Sequence, residues 1–346
     1  MLCAPILALP SAAEGQVPEV ASVPLGLSAQ ETDPPVTLRI GARLQVRHTQ
    51  ASAAGGEWTG STRIRRGRLS ASGEAYQRLD YLVQLELSGA QAHLIDAAVR
   101  YTISPEAVLW FGQGKAPFGR QQLNSSRDLH FVDRTLVDSR FSAGRQQGVA
   151  LTGRLGGTRL EYGAGIYDGN GINQPDNPND RFMTVARVVL TPLGAYGPVE
   201  GAHDRPASPR IAVGGSGFRN TVGEGSQETR LTRINGEGAF KFEGLNMVGE
   251  FYREWTSPAI GSRTASNGWY YQAGYLLPEG RHEIAGRYGE IRPPAPSPGG
   301  QVETGVAYSY YIDQHRAKVQ ADLRNIRSRA TDTDHRELRI QFQLTM

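Results

Sequence analysis

Between Val36 and Arg47 the character of the chain switches at every step. Val36, Leu38, Ile40, Ala42, Leu44 and Val46 share one parity, while Arg39, Arg43, Gln45 and Arg47 share the other. A period of two places these sets on opposite faces of one extended strand. The same period returns at the far end, where Leu338, Ile340, Phe342, Leu344 and Met346 alternate with Glu337, Arg339, Gln341 and Gln343. Strands built this way need an apolar medium on one side and water on the other, which is the condition of a wall strand in a membrane barrel.

Between these ends the alternation repeats in about sixteen segments: 36–48, 63–75, 79–88, 93–102, 106–117, 146–154, 159–168, 181–191, 209–219, 230–242, 245–255, 267–277, 281–291, 301–312, 315–324 and 335–346. Most are roughly nine to eleven residues long, enough for a tilted strand to cross a bilayer. An even number returns the chain to its starting side. Short turns (76–78, 243–244, 278–280, 313–314) interleave with longer polar loops (49–62, 118–145, 169–180, 220–229, 256–266, 292–300, 325–334), the asymmetry expected of periplasmic turns and outer loops. Two connections break the rule: the link near 89–92 is short for an outer loop, and 192–208 is long for a turn. Aromatics gathered near strand ends, including Tyr101, Trp110, Tyr162, Trp255, Trp269, Tyr270, Tyr271, Tyr308 and Tyr310, are read as interfacial girdles.

Composition agrees. Hydrophobic residues make up 39% of the 346, with no apolar run after the first ten positions long enough for a membrane helix. Only alternate residues of a barrel strand face lipid, so a negative mean hydropathy is compatible with membrane insertion. The balance of 37 Lys+Arg against 34 Asp+Glu implies no nucleic-acid partner. The single cysteine, Cys3, excludes a disulfide framework and a thiolate metal cluster. Residues 1–13 read as the remnant of a secretory signal lacking its basic start. Residues 14–35, with Pro18, Pro24, Pro34 and Pro35, read as a periplasmic tether, leaving 36–346 as the transmembrane β-barrel.

Several motifs recur in order along the first half: Ile64-Arg-Arg-Gly-Arg-Leu69, Ile95-Asp-Ala-Ala-Val-Arg-Tyr101, Gly112-Gln-Gly-Lys-Ala-Pro-Phe-Gly119, Gln147-Gly-Val-Ala-Leu-Thr-Gly153, Tyr167-Asp-Gly-Asn-Gly171 and Arg187-Val-Val-Leu-Thr-Pro192. Together they resemble the phosphate-selective porin O and P family, most strongly over 60–192. The resemblance implies an all-β, sixteen-stranded barrel in the bacterial outer membrane, trimeric, whose third outer loop (118–145 here) folds inward to narrow the pore. It implies passive diffusion of small hydrophilic solutes with anions preferred, phosphate or polyphosphate among them. The partners implied are outer-membrane lipid and lipopolysaccharide, and the barrel-assembly machinery during biogenesis. The chain departs from the family pattern in ending on Met346 where an aromatic is usual.

A pore breaks no bonds; its chemistry is the electrostatic cost of moving an ion through a narrow passage lined by fixed charge. Inward arginines lower that cost for anions. Arg39, Arg43 and Arg47 stand about 13 Å apart on one face of the first strand, at about 3.3 Å per residue. Arg66 and Arg68 share the inward parity of the second segment, with Arg63 and Arg65 assigned to the outer rim. Arg316 and Lys318 add charge beside the closing strand, and the third loop contributes Arg120, Arg127, Arg134, Arg140 and Arg145, approached by Lys115. One side of the pore, where the last strand meets the first, is then expected to be basic. Glu74, Glu86, Asp96, Glu237, Glu250, Glu283 and Glu303 also take inward or rim positions, so structural pairing competes with selectivity for every one of these cations.

Other classes remain in view. A barrel enzyme needs a nucleophile served by a histidine, yet no Gly-x-Ser-x-Gly elbow or His-Glu-x-x-His pair accompanies the seven histidines. A soluble β-sandwich that binds carbohydrate alternates too, with its apolar face inward. An adhesin barrel differs in having a plugged lumen. No pattern calls for a cofactor; the Asp/Asn-rich stretch 168–180 lacks the regular spacing of a calcium loop and reads as turn chemistry.

Overall fold

The computed structural model describes residues 36–157, 159–294 and 299–346; the segments read as signal remnant and tether lie outside them. Sixteen antiparallel strands close into one barrel: β1 Arg39–Ala53, β2 Thr59–Ala75, β3 Leu79–Glu86, β4 His93–Ser104, β5 Ala107–Lys115, β6 Arg145–Leu155, β7 Leu160–Tyr167, β8 Met183–Leu190, β9 Arg210–Val222, β10 Thr229–Phe242, β11 Leu245–Pro258, β12 Thr264–Leu276, β13 His282–Arg292, β14 Gln301–Asp313, β15 Ala317–Ser328 and β16 Thr333–Thr345. Each strand pairs with its neighbours in sequence, and β16 returns to β1 with Leu44 opposite Leu344 and Arg47 opposite Gln341. Closure leaves no strand edge unpaired, the condition for a sheet in lipid. Among the described residues no helix is long and apolar enough to cross a membrane; the strands do it.

The wall is inverted relative to a water-soluble domain. On β16, Leu338, Ile340 and Phe342 face outward, whereas Arg339, Gln341 and Gln343 are buried inside. On β1, Ile40 and Leu44 are exposed, while Gln45 and Arg47 are enclosed. On the lipid face Trp269, Tyr271 and Tyr288 stack with centroids 5.2–6.0 Å apart, as an interfacial girdle requires. Two expected girdle members face the lumen instead. Tyr270 donates its hydroxyl to Glu250 (2.5 Å), and Trp110 lines the interior, because each sits on the inward parity of its strand.

The second strand corrects another expectation. Its pairing with β1 slips by one residue between Gln45 and Val46, so Arg65 occupies a bulge. A bulge re-aims the side chain it carries. Arg65 thereby turns from the rim to a carboxylate inside, Asp133 (3.2 Å).

Short connections 76–78, 105–106, 243–244, 277–281 and 314–316 gather at the end of the barrel that holds both ends of the described chain, together with the long segment 191–209. The 243–244 hairpin places Glu243 at φ 48°, the left-handed geometry a two-residue turn demands. The opposite end carries 54–58, 87–92, 168–182, 223–228, 259–263, 329–332 and the connection 116–144, the longest.

Candidate functional site

The 116–144 connection lies inside the barrel. It contains two short helices, α1 Arg120–Leu123 and α2 Leu136–Phe141, the second capped by the Thr135 hydroxyl accepting from the Asp138 N–H. Carboxylates projecting from the wall accept its backbone N–H groups. Glu250 takes those of Arg120 (2.6 Å) and Gln121 (2.9 Å), Asp322 that of Val132 (3.2 Å) and Glu303 that of Leu136 (2.6 Å). Such charge-assisted bonds satisfy loop amides that would otherwise be buried unpaired. Cations do the converse for its carbonyls: Arg47 donates to Val132 O (2.8 Å), Arg287 to Asp133 O (3.0 Å), Lys318 to Leu129 O (3.0 Å). Phe118 and Phe141 pack on Phe218 and Tyr252 of the wall, at 4.8 and 5.7 Å. The approach is close enough that a Cβ on Gly268 would collide with Phe141, and one on Gly274 with His130. All these anchors lie on β9–β16 and β1.

Asp133 is the hub of the seam. Arg47, Arg65 (3.2 Å), Arg66 (3.3 Å) and Arg339 (3.8 Å) surround it. Burial alone would raise its pKa, but the arginines outweigh that and hold it well below the usual carboxylate range.

From the other end, segment 191–209 also turns into the lumen and meets the loop. Glu200, buried to 1% exposure, accepts the N–H of His130 (2.8 Å) and the amide of Gln121 (3.0 Å), and its own N–H donates to Asp128 O (3.0 Å). The His130 ring is clamped between Glu283 (2.9 Å) and Asn246 (2.9 Å). Burial opposes its charge, yet the adjoining carboxylates raise its pKa above the ordinary histidine value.

Space remains on the opposite side. A cavity of about 330 Å³ opens between the loop and the wall β1–β6, lined by the cations Arg43, Arg68, Lys115, Arg134 and Arg145 against the single carboxylate Asp96. Three of the five lie against a carboxyl group: Arg68 against Glu86 (2.7 Å), Arg145 against Asp96 (2.8 Å), Arg134 against Asp138 (3.7 Å). Arg43 and Lys115 have no carboxylate partner among the described residues. Arg43 reaches only the Ser126 hydroxyl (3.3 Å), leaving its Nε buried and unpaired. Lys115 donates to the carbonyls of Leu123 (3.1 Å) and Asn124 (2.7 Å). A second cavity of about 540 Å³ continues toward the end with the short turns, lined in part by Arg100, Arg154 and Arg187.

The thirteen cations singled out in the sequence therefore divide. Arg43, Arg68, Lys115, Arg134 and Arg145 converge on the cavity. Arg47 and Arg66 hold Asp133; Arg120 pairs with Glu237 (3.4 Å) and Arg140 with Glu254 (2.7 Å). Lys318 is fully enclosed beneath Leu129. Arg127 and Arg316, paired with Asp128 (2.8 Å) and Asp313 (2.9 Å), border a separate cavity at the end with the short turns. Arg39 stands exposed at the start of β1. The basic side is also displaced from where the sequence suggested. At the β15–β16 seam the cations are neutralised, Arg324 by Glu337 (2.6 Å) and Arg339 by Asp322 (2.7 Å), so the excess lies on β1–β6. Arg100, Arg154 and Arg187 were missed, although each sits on the inward parity of its strand.

A closed sixteen-stranded wall, apolar outside and polar inside, narrowed by an inward connection beside a charged cavity, defines an outer-membrane porin. Sequence and structure comparisons agree. The model of the family described as phosphate-selective porin O and P matches residues 38–209. Over that stretch the chain is similar to the family, and it is a porin of the bacterial outer membrane. Among curated proteins none matches the sequence. Similar solved structures include the anion-selective porin from Comamonas acidovorans, at TM-score 0.70 and 12% identity, covering 90% of this chain and 100% of that one. The outer membrane channel DcaP of Acinetobacter baumannii superposes at TM-score 0.66 and 10% identity, over 91% of this chain and 99% of that one. The trimer form of the outer membrane protein OmpT of Vibrio cholerae gives TM-score 0.60 and 10% identity, over 89% and 99%. At these identities the likeness concerns the fold.

Proposed function

We propose that the chain is a passive channel preferring small anions, which travel between the inward loop and the wall β1–β6. One observation carries this reading: Arg43 and Lys115, without carboxylate partners, face the same cavity. An uncompensated cation in a partly desolvated passage lowers the entry cost of an anion and raises that of a cation. Arg68, Arg134 and Arg145 add guanidinium donors whose planar fork suits oxyanions, so phosphate, which the family description names, is among the solutes proposed. The channel performs no catalysis in this reading. Assembly as a homotrimer among lipid and lipopolysaccharide is proposed from the family reading and from the trimer form of the Vibrio cholerae neighbour. Residues 1–13 are proposed as part of a secretory signal and 14–35 as a tether.

Reversal potentials in asymmetric KCl across planar bilayers test the reading. Chloride preference is expected, with partial block of chloride current by added phosphate. Equal permeability of chloride and potassium, or cation preference, contradicts it.

A further inference from the structure

We infer that the passage contains a subsite for organic anions with a flat apolar body, aromatic carboxylates being the class that fits, and that Trp110 selects them. The inference rests on the anion reading above and adds a solute class to it. The two cavities share Trp110, Lys115 and Leu123, so a solute moving from one to the other passes between an indole, an aliphatic side chain and an ammonium group.

Trp110 is half-buried on the inward face of β5, opposite Arg100 of β4 and Ala150 of β6. The next inward positions along β5 are Gly112 and Gly114. A Cβ at Gly114 would lie 2.6 Å from the indole Cζ2, so the ring extends over space that any larger residue would occupy. Tyr167 packs against it at 6.1 Å and 49°. Leu82 and Ala98 continue the apolar lining of the cavity beyond it. A buried structural tryptophan normally satisfies its N–H. The Trp110 indole N–H has no partner among the described residues and is available to a solute.

A hydrated inorganic ion gains nothing from this strip, because its shell is polar on all sides. An aromatic carboxylate gains at both ends. Its ring lies against the indole in offset or edge geometry, and its carboxylate meets Arg43, whose Nε is buried and unpaired, or Lys115. The cavity of about 330 Å³ is at the small end of the roughly 300–1,000 Å³ typical of small-molecule sites. Binding there must stay weak for flux to continue.

Bi-ionic reversal potentials with sodium benzoate and sodium acetate, each against chloride in planar bilayers, test the proposal. The two solutes share the carboxylate and differ in the ring. Benzoate is expected to permeate better than acetate despite its size. Trp110→Ala is expected to reduce the benzoate-to-acetate ratio roughly two- to tenfold, while Trp110→Phe keeps most of it. Chloride-to-potassium selectivity on the same channels separates the levels of the argument. Cation preference overturns the anion reading and this inference with it; chloride preference with a benzoate-to-acetate ratio of one or below overturns this inference alone. A high ratio unchanged in Trp110→Ala overturns the assignment to Trp110. If that variant fails to insert, Leu123→Ser samples the same neck and carries the same expectation.

Discussion

Glu200 accepts the backbone N–H of His130 at 2.8 Å, joining two segments that enter the barrel from opposite ends. The pair sits where the inward 116–144 loop and the connection 191–209 from the end with the short turns meet, and the same carboxylate also receives the Gln121 amide. The inward loop is thus held from below as well as from the side.

Glu200→Gln replaces an acceptor with a donor facing donors. A buried N–H left unsatisfied costs roughly 1–3 kcal/mol. The variant should show noisier single-channel current and lose its compact gel mobility at a lower temperature than wild type. Unchanged noise and mobility would mean that the connection 191–209 does not support the loop.

Asp138 supplies a pH signature. Burial, only partly offset by Arg134, pushes its carboxyl up to about 7, so it stays protonated in the fold over a range where the unfolded chain is ionised. A raised carboxyl pKa gives stability that is complete below about pH 4 and lost as pH climbs to about 7, at up to about 1.4 kcal/mol per unit. The stability of wild type relative to Asp138→Asn should therefore fall between pH 4.5 and 7 and level off above. Denaturant midpoints in detergent across that range check it; a flat difference contradicts the burial of this group.

The lipid face gives a third expectation. Ile340 points outward near the middle of β16, so Ile340→Arg should destabilise the barrel by about 2–4 kcal/mol, measured by denaturant unfolding in lipid vesicles. The same change at Met346, beyond the end of β16, should cost far less.

The strands were legible because their signal is local: period two needs only a few residues, and each of the sixteen segments expected corresponds to an observed strand. The interior was less so. Whether an inward arginine is free depends on which carboxylate the opposite element brings to it. Arg47 and Arg66 look like Arg43 and Arg68 in sequence, yet the first two converge on Asp133. The bulge that turns Arg65 inward inverts parity without a distinctive residue to mark it. Segment 191–209 stood out only by its length, since nothing in a Gly/Pro-rich stretch signals that Glu200 meets His130. Trp110 reads as a girdle residue until the parity of β5 is fixed by its pairing with β4.

The central claim is that the unpaired cations Arg43 and Lys115 set selectivity, while the paired ones build the wall. The direct measurement is the chloride-to-potassium permeability ratio, from reversal potentials, of Arg43→Ala/Lys115→Ala beside Arg140→Ala. Removing the Arg43 guanidinium, which has no carboxylate partner, together with the Lys115 amine beside the same cavity should lower the ratio severalfold, whereas Arg140→Ala, whose partner Glu254 keeps its bond to Arg233, should leave it within about twofold. A double variant with the wild-type ratio would contradict the account.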